Sequence, residues 1–228
     1  MKRTIAVIAV TLIAACNKEK PLSELASAPP SSSSSASTAA APAKPAATNA
    51  APIAIYTAAG EHAYDISLAS GKLTIRYAGT DGKVRAIEGD LKSSGKRKYV
   101  ENGSMICEVK PGDTGGFKVK SADGKTLLWK VKREPDKAKI SDNEENKNPF
   151  ELKTKSDRIE VRDATGKAIG AVRYDAAKHS ATVEDASGKA RFTCSSDRGD
   201  RFLGVTILDT IPVQLRAVIM AELSALDR

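Results

Sequence analysis

The chain has 228 residues and a formal charge of +8, from 36 lysines and arginines against 28 aspartates and glutamates. Aromatic residues make up 4%, too few for the stacking platforms that take up single-stranded nucleic acid. Its two histidines, His62 and His179, lie far apart and outside any His, Cys and carboxylate cluster with metal-ligand spacing, so no metal or cofactor is expected.

Residues 1–15 read as an export leader. Met1-Lys2-Arg3 is a short basic start, and the apolar run over residues 4–13 has secretory length but is too short to span a bilayer. The leader ends in Ile13-Ala14-Ala15-Cys16, which resembles a bacterial lipobox: an aliphatic residue, two small ones and a cysteine. The resemblance implies cleavage after Ala15 and acylation of Cys16 through its sulfur and its new N-terminus. Several acyl chains anchor stably, since each buried methylene contributes about 0.8 kcal/mol. Asn17 rather than aspartate follows the cysteine, which by the enteric sorting pattern implies the outer membrane rather than the inner. Loss of Lys2 and Arg3 with the leader leaves a formal charge of +6.

Residues 16–52 form a lipidated cysteine and a tether. This stretch holds six of the ten prolines, a serine run over 31–35 and many alanines, with no apolar periodicity. Such a composition buries too little to fold. About 36 flexible residues span roughly 30–36 Å.

Residues 53–228 are enough for one domain with a sizeable core. Asp81-Gly82-Lys83, Asp123-Gly124-Lys125 and Thr165-Gly166-Lys167 recur 42 residues apart. Around them apolar residues alternate with polar ones, as in Leu73/Ile75/Tyr77, Leu127/Trp129/Val131 and Val172/Tyr174. Period 2 with closely spaced turn residues predicts antiparallel hairpins buried on one face. The expected strands are about 64–69, 72–78, 83–92, 97–101, 105–110, 117–121, 126–133, 137–142, 150–155, 158–163, 168–174, 179–185 and 190–195. A further strand-like segment, 201–208, leads into the last element.

That element, residues 211–226, reads as a helix capped by Asp209 or Thr210, with Pro212 in its first turn. Its polar residues Gln214, Arg216, Glu222 and Ser224 project in four directions. A helix with no polar face needs enclosure. The fold expected is therefore all-β with one C-terminal helix: an antiparallel meander of about 12 strands that closes into a barrel around the apolar helix. A barrel that wide is not filled by side chains alone. The layout resembles the tubby-like barrel shared by the tubby C-terminal domain, the phospholipid scramblases and the LURP-one-related proteins. The resemblance implies a helix threading the barrel, and no headgroup-binding residue transfers with it. A β-sandwich, or an open sheet with a packed helix, is the alternative.

Candidate sites are few. Cys107 and Cys194 should both point inward, as buried thiols or as one disulfide, since an exported protein meets an oxidising compartment. No motif pairs either with a base. Lys96, Arg97 and Lys98 form the densest basic run and are candidates for contact with anionic envelope lipid or polymer. The acidic stretch 141–148 lacks the glycine and ligand spacing of a calcium loop and reads as a polar turn. No nucleophile elbow, phosphate loop or dinucleotide fingerprint occurs, so no catalytic residue and no enzyme is expected. The reading is an envelope lipoprotein with a non-enzymatic binding or scaffolding domain. The alternatives are a carrier holding lipid or an apolar ligand in a barrel cavity, and a subunit of an envelope complex whose protein partner the sequence does not name.

Overall fold

Side-chain alternation turns just over half of the described residues into strand, and the turn glycines set where each strand ends. The structure, a computed structural model, describes residues 52–112, 115–195 and 200–226. The leader, the cleavage point after Ala15, Cys16 and the tether to residue 51 lie outside the described residues. The strands are β1 (Ile53–Thr57), β2 (His62–Ala69), β3 (Lys72–Ala78), β4 (Val84–Leu91), β5 (Arg97–Glu101), β6 (Ser104–Pro111), β7 (Phe117–Ser121), β8 (Leu127–Glu134), β9 (Lys137–Ser141), β10 (Phe150–Thr154), β11 (Arg158–Arg162), β12 (Ala168–Asp175), β13 (Ser180–Asp185) and β14 (Ala190–Ser195). Each pairs antiparallel with its neighbour in sequence, and β14 returns to β1, with Ile55 opposite Cys194. The sheet is a closed barrel of fourteen strands. Closure leaves no edge strand to pair with another chain.

The expected strands are all present. The one not anticipated is β1, the closing strand: its Ile-Ala-Ile-Tyr-Thr follows directly on the alanine-rich tether, which masks its short alternation. The 42-residue repeat is a four-strand period. Its glycines, Gly82, Gly124 and Gly166, sit at the β3–β4, β7–β8 and β11–β12 turns with φ of 73°, 71° and 83°. These connections all lie on one rim, called upper here. A left-handed residue is needed there, and glycine adopts it without steric cost.

Inward positions are apolar: Leu73, Ile75, Val119, Val131, Ile140, Leu152, Val161, Val172 and Val183 are at most 2% exposed. Lysine, arginine, threonine and glutamate dominate the outward positions between them. This is the reverse of a lipid-facing barrel, whose outer band is apolar.

The lumen is filled by a helical hairpin. Residues 201–208, expected as a strand, instead form a 3-10 helix, Arg201–Ile207. Phe202 to Ile207 are all buried. A strand with one polar face suits neither that continuous burial nor Phe-Leu-Gly-Val-Thr-Ile, which has no alternation. Helix α1 (Val213–Leu226) follows. Asp209 does not cap it; its carboxylate accepts from Arg216 Nη1 at 2.7 Å. Arg201 Nη1 donates to the Glu134 carbonyl at 2.8 Å, and Arg133 Nη1 to the Leu226 carbonyl at 3.2 Å, both near the β8–β9 turn on the lower rim. The chain therefore climbs the lumen as the 3-10 helix, turns near the upper rim and descends as α1. The 3-10 helix packs on β10 to β13 and α1 on β2 and β3. Residues 217–224 are buried without a break, so α1 has no free face. Leu215 is 9% exposed, Val218 and Ile219 0%, and Leu223 1%.

Candidate anion-binding face

On β6 to β9 the outward positions are mostly lysine. Lys110 lies opposite Lys118, Lys118 opposite Lys130, and Lys132 opposite Lys139. Like charges directly opposite across a ladder destabilise a sheet, and here three such pairs adjoin. With Lys120, these lysines line a surface depression of about 710 Å³. Glutamates at its margins offset part of the charge. Glu108 meets Lys110 at 3.2 Å, and Glu134 meets Lys132 and Lys139 at 3.5 and 3.7 Å. Lys120 makes no ion pair among the described residues.

The Lys118–Lys130 pair is bridged by Glu144. One carboxylate oxygen lies 2.7 Å from Lys118 Nζ and 3.8 Å from Lys130 Nζ; the other accepts from Lys118 at 3.0 Å. Lys130 Nζ also donates to the Glu144 carbonyl. The Lys118 hydrogen bond is the main cause holding the Glu144 carboxyl below the usual carboxylate range.

Strand length explains how Glu144 gets there. β9 and β10 have five residues each, against eight in β8. Their connection, residues 142–149, leaves the wall at mid-height and folds out over β7 and β8. Its own bonds shape it: Asn143 Oδ1 accepts from Lys147 N at 2.7 Å, and Ser141 Oγ donates to Asn146 Oδ1 at 2.8 Å. The polar turn expected over 141–148 is thus present, with one of its three carboxylates, that of Glu144, committed to lysines. The other side of this loop lines a second hollow, about 470 Å³, with Trp129, Phe150 and Thr210. The Trp129 and Phe150 rings lie 6.3 Å apart.

The Lys96-Arg97-Lys98 run does not act as a unit. Strand alternation leaves Lys98 exposed and Lys96 half-buried, and turns Arg97 into the lumen, 7% exposed. Arg97 is therefore not a surface contact. Its Nη1 donates to Glu222 Oε2 at 3.1 Å, while Tyr99 Oη donates to Glu222 Oε1 at 2.8 Å. Gly89 lies opposite Tyr99, and a Cβ there would sit 2.4 Å from the Tyr99 ring and 2.8 Å from the Arg97 side chain. Glycine is what lets both side chains lie against the wall. Burial pushes the Glu222 carboxyl above its ordinary value, outweighing the pull of Arg97 and Tyr99. The cluster pins α1 to β5.

Cys107 and Cys194 are both buried free thiols, so the disulfide does not form. The physical reason is distance. β6 and β14 lie six strands apart around a ring of fourteen, and the helical hairpin occupies the space between, whereas a disulfide needs Cα atoms within about 7 Å. Burial pushes the Cys107 thiol up to about 12, with the Glu222 charge adding to it, and the Cys194 thiol up to about 11. Both stay protonated at neutral pH. His62 lies on the rim 3.4 Å from Asp65, and His179 has φ of 49° in the β12–β13 turn.

Register is what assembles the lysine face. The available signal was the alternation in Lys118-Val119-Lys120 and Lys130-Val131-Lys132, once the hairpins are aligned. Compared with known proteins, the chain matches no family model, no curated protein and no solved structure.

Proposed function

We propose that this chain is a lipid-anchored protein of the bacterial cell envelope, acylated on Cys16, whose barrel is a non-enzymatic binding module. Its working surface is the lysine face of β6 to β9, and it engages anionic envelope material. The observation that carries this reading is the run of three like-charged lysine pairs across adjacent strands. Glu108, Glu134 and Glu144 offset part of their repulsion, and an anionic partner offsets more of it. A tether of about 36 residues, with a typical span of roughly 30–36 Å, lets the barrel reach the bilayer surface, where each lysine near an anionic surface contributes about 1 kcal/mol. The packed lumen favours this over a carrier with an internal cavity. The tubby-like resemblance rests on layout alone, a closed barrel around a C-terminal helix. Outer-membrane placement rests on Asn17.

Two experiments test the reading. A lipoprotein signal-peptidase inhibitor should cause the uncleaved precursor to accumulate in cells; unchanged processing removes the anchor from the account. The chain from residue 16 with Cys16→Ser should co-sediment with anionic but not zwitterionic vesicles, and detach as salt rises from 50 to 500 mM. Equal binding to both vesicle types contradicts an electrostatic face.

A further inference from the structure

Glu144 sits where a ligand's charge would sit. Its carboxylate lies between two lysines that oppose each other across β7 and β8, at the margin of the 710 Å³ depression. The carboxylate comes from a loop, not from the wall, so it can leave while the lysines stay fixed. It is half exposed, and exposed ion pairs of this kind contribute only about 0.2–1 kcal/mol. A carboxylate brings one charge and two oxygens, and its bridge is lopsided, close to Lys118 and distant from Lys130. A phosphomonoester brings up to two charges and three terminal oxygens. It can satisfy Lys118, Lys130 and Lys110 together, because Lys110 adjoins Lys118 on the next strand.

Building on the anionic-face reading, we propose that a phosphomonoester group binds between Lys118 and Lys130 by displacing the Glu144 carboxylate and drawing Lys130 Nζ off the Glu144 carbonyl, and so frees loop 142–149 from the wall. Glu144 is then a built-in competitor that sets the affinity of the face. The loop separates two hollows. Glu145 and Asn146 line the lysine side, while Asn143, Lys147 and Asn148 line the other side beside Trp129 and Phe150. Release of Glu144 therefore changes the surroundings of Trp129, the single tryptophan of the chain.

The test is a tryptophan-emission titration of the chain from residue 16 with Cys16→Ser. Two phosphomonoesters serve as probes: soluble glycerol 3-phosphate, and vesicles containing phosphatidic acid. Emission should change saturably with at least one of them. A response to both or to the soluble probe alone assigns a free ligand; a response to vesicles alone assigns a lipid headgroup. Glu144→Gln should bind roughly two- to tenfold tighter, the range that one to two weak ion pairs convert to. The double variant Lys118→Gln, Lys130→Gln should lose at least tenfold while keeping the circular dichroism of the parent. Unchanged affinity in Glu144→Gln overturns the inference, as does a phosphate response that survives the double lysine variant. Binding to phosphatidylglycerol vesicles with no Trp129 response to either phosphomonoester also overturns it, but leaves the anionic face standing. Failure to bind any anionic vesicle, together with no response to glycerol 3-phosphate, removes both.

Discussion

An ionised carboxylate inside a protein costs several kcal/mol unless its charge is matched. Glu222 is 8% exposed and meets Arg97 and Tyr99. Removing one member should therefore cost more than removing both charges. Glu222→Leu strands a buried guanidinium and should destabilise by about 3–5 kcal/mol, while Arg97→Met with Glu222→Leu should cost markedly less. Urea denaturation of the three variants checks this. The pH dependence follows from the direction of the shift. The folded state raises the Glu222 carboxyl above its unfolded value, so the native state binds the proton more tightly than the unfolded chain. The stability from this group is complete below the ordinary carboxylate value of about 4.3 and is lost as pH rises through the raised one. Plots of stability against pH should show that fall in the parent and lack it in Glu222→Gln. The thiols give a separate check. With Cys16 replaced, neither Cys107 nor Cys194 should react with a thiol reagent in the folded protein, and both should react in guanidinium. None of these pairings could be read from the sequence. Arg97 and Glu222 are 125 positions apart, and Arg97 lies in a run that looks like surface until strand alternation divides it.

The elements were far more legible than the pairings. Period-2 alternation and recurrent glycines located thirteen strands, because those signals are local and each hairpin closes on itself. Residues 201–208 misled because β-branched and aromatic residues suit a strand, while the missing alternation was the better guide: every face of the segment is buried. α1 was readable for the same reason in reverse, since its scattered polar residues left no solvent face. Ile219 is fully buried, so Ile219→Ala should cost about 2–5 kcal/mol. It should shift the urea midpoint with little change in slope, since the surface exposed on unfolding is nearly the same. The lysine face was the least legible element. Its charges are spread over residues 110–139 and meet only through register. Glu144 reaches them only because β9 and β10 stop three residues short of the top of β8, a length difference that no turn residue marks.

At the scale of the whole molecule, the interior is packed, and the proposed function places contact on the wall. A fourteen-stranded ring would enclose a wide lumen, and the last 26 described residues turn back through it as a filler. On the outer surface, lysines of β6 to β9 lie opposite one another across three adjacent ladders, and the proposed function rests on that face. Hydrogen exchange of the chain from residue 16, with and without anionic vesicles, tests this division most directly. Amides of 215–224 should exchange among the slowest in the free protein, and vesicles should add protection over 110–147 while leaving α1 unchanged. Fast exchange in α1, or vesicle-induced protection falling outside 110–147, would contradict it.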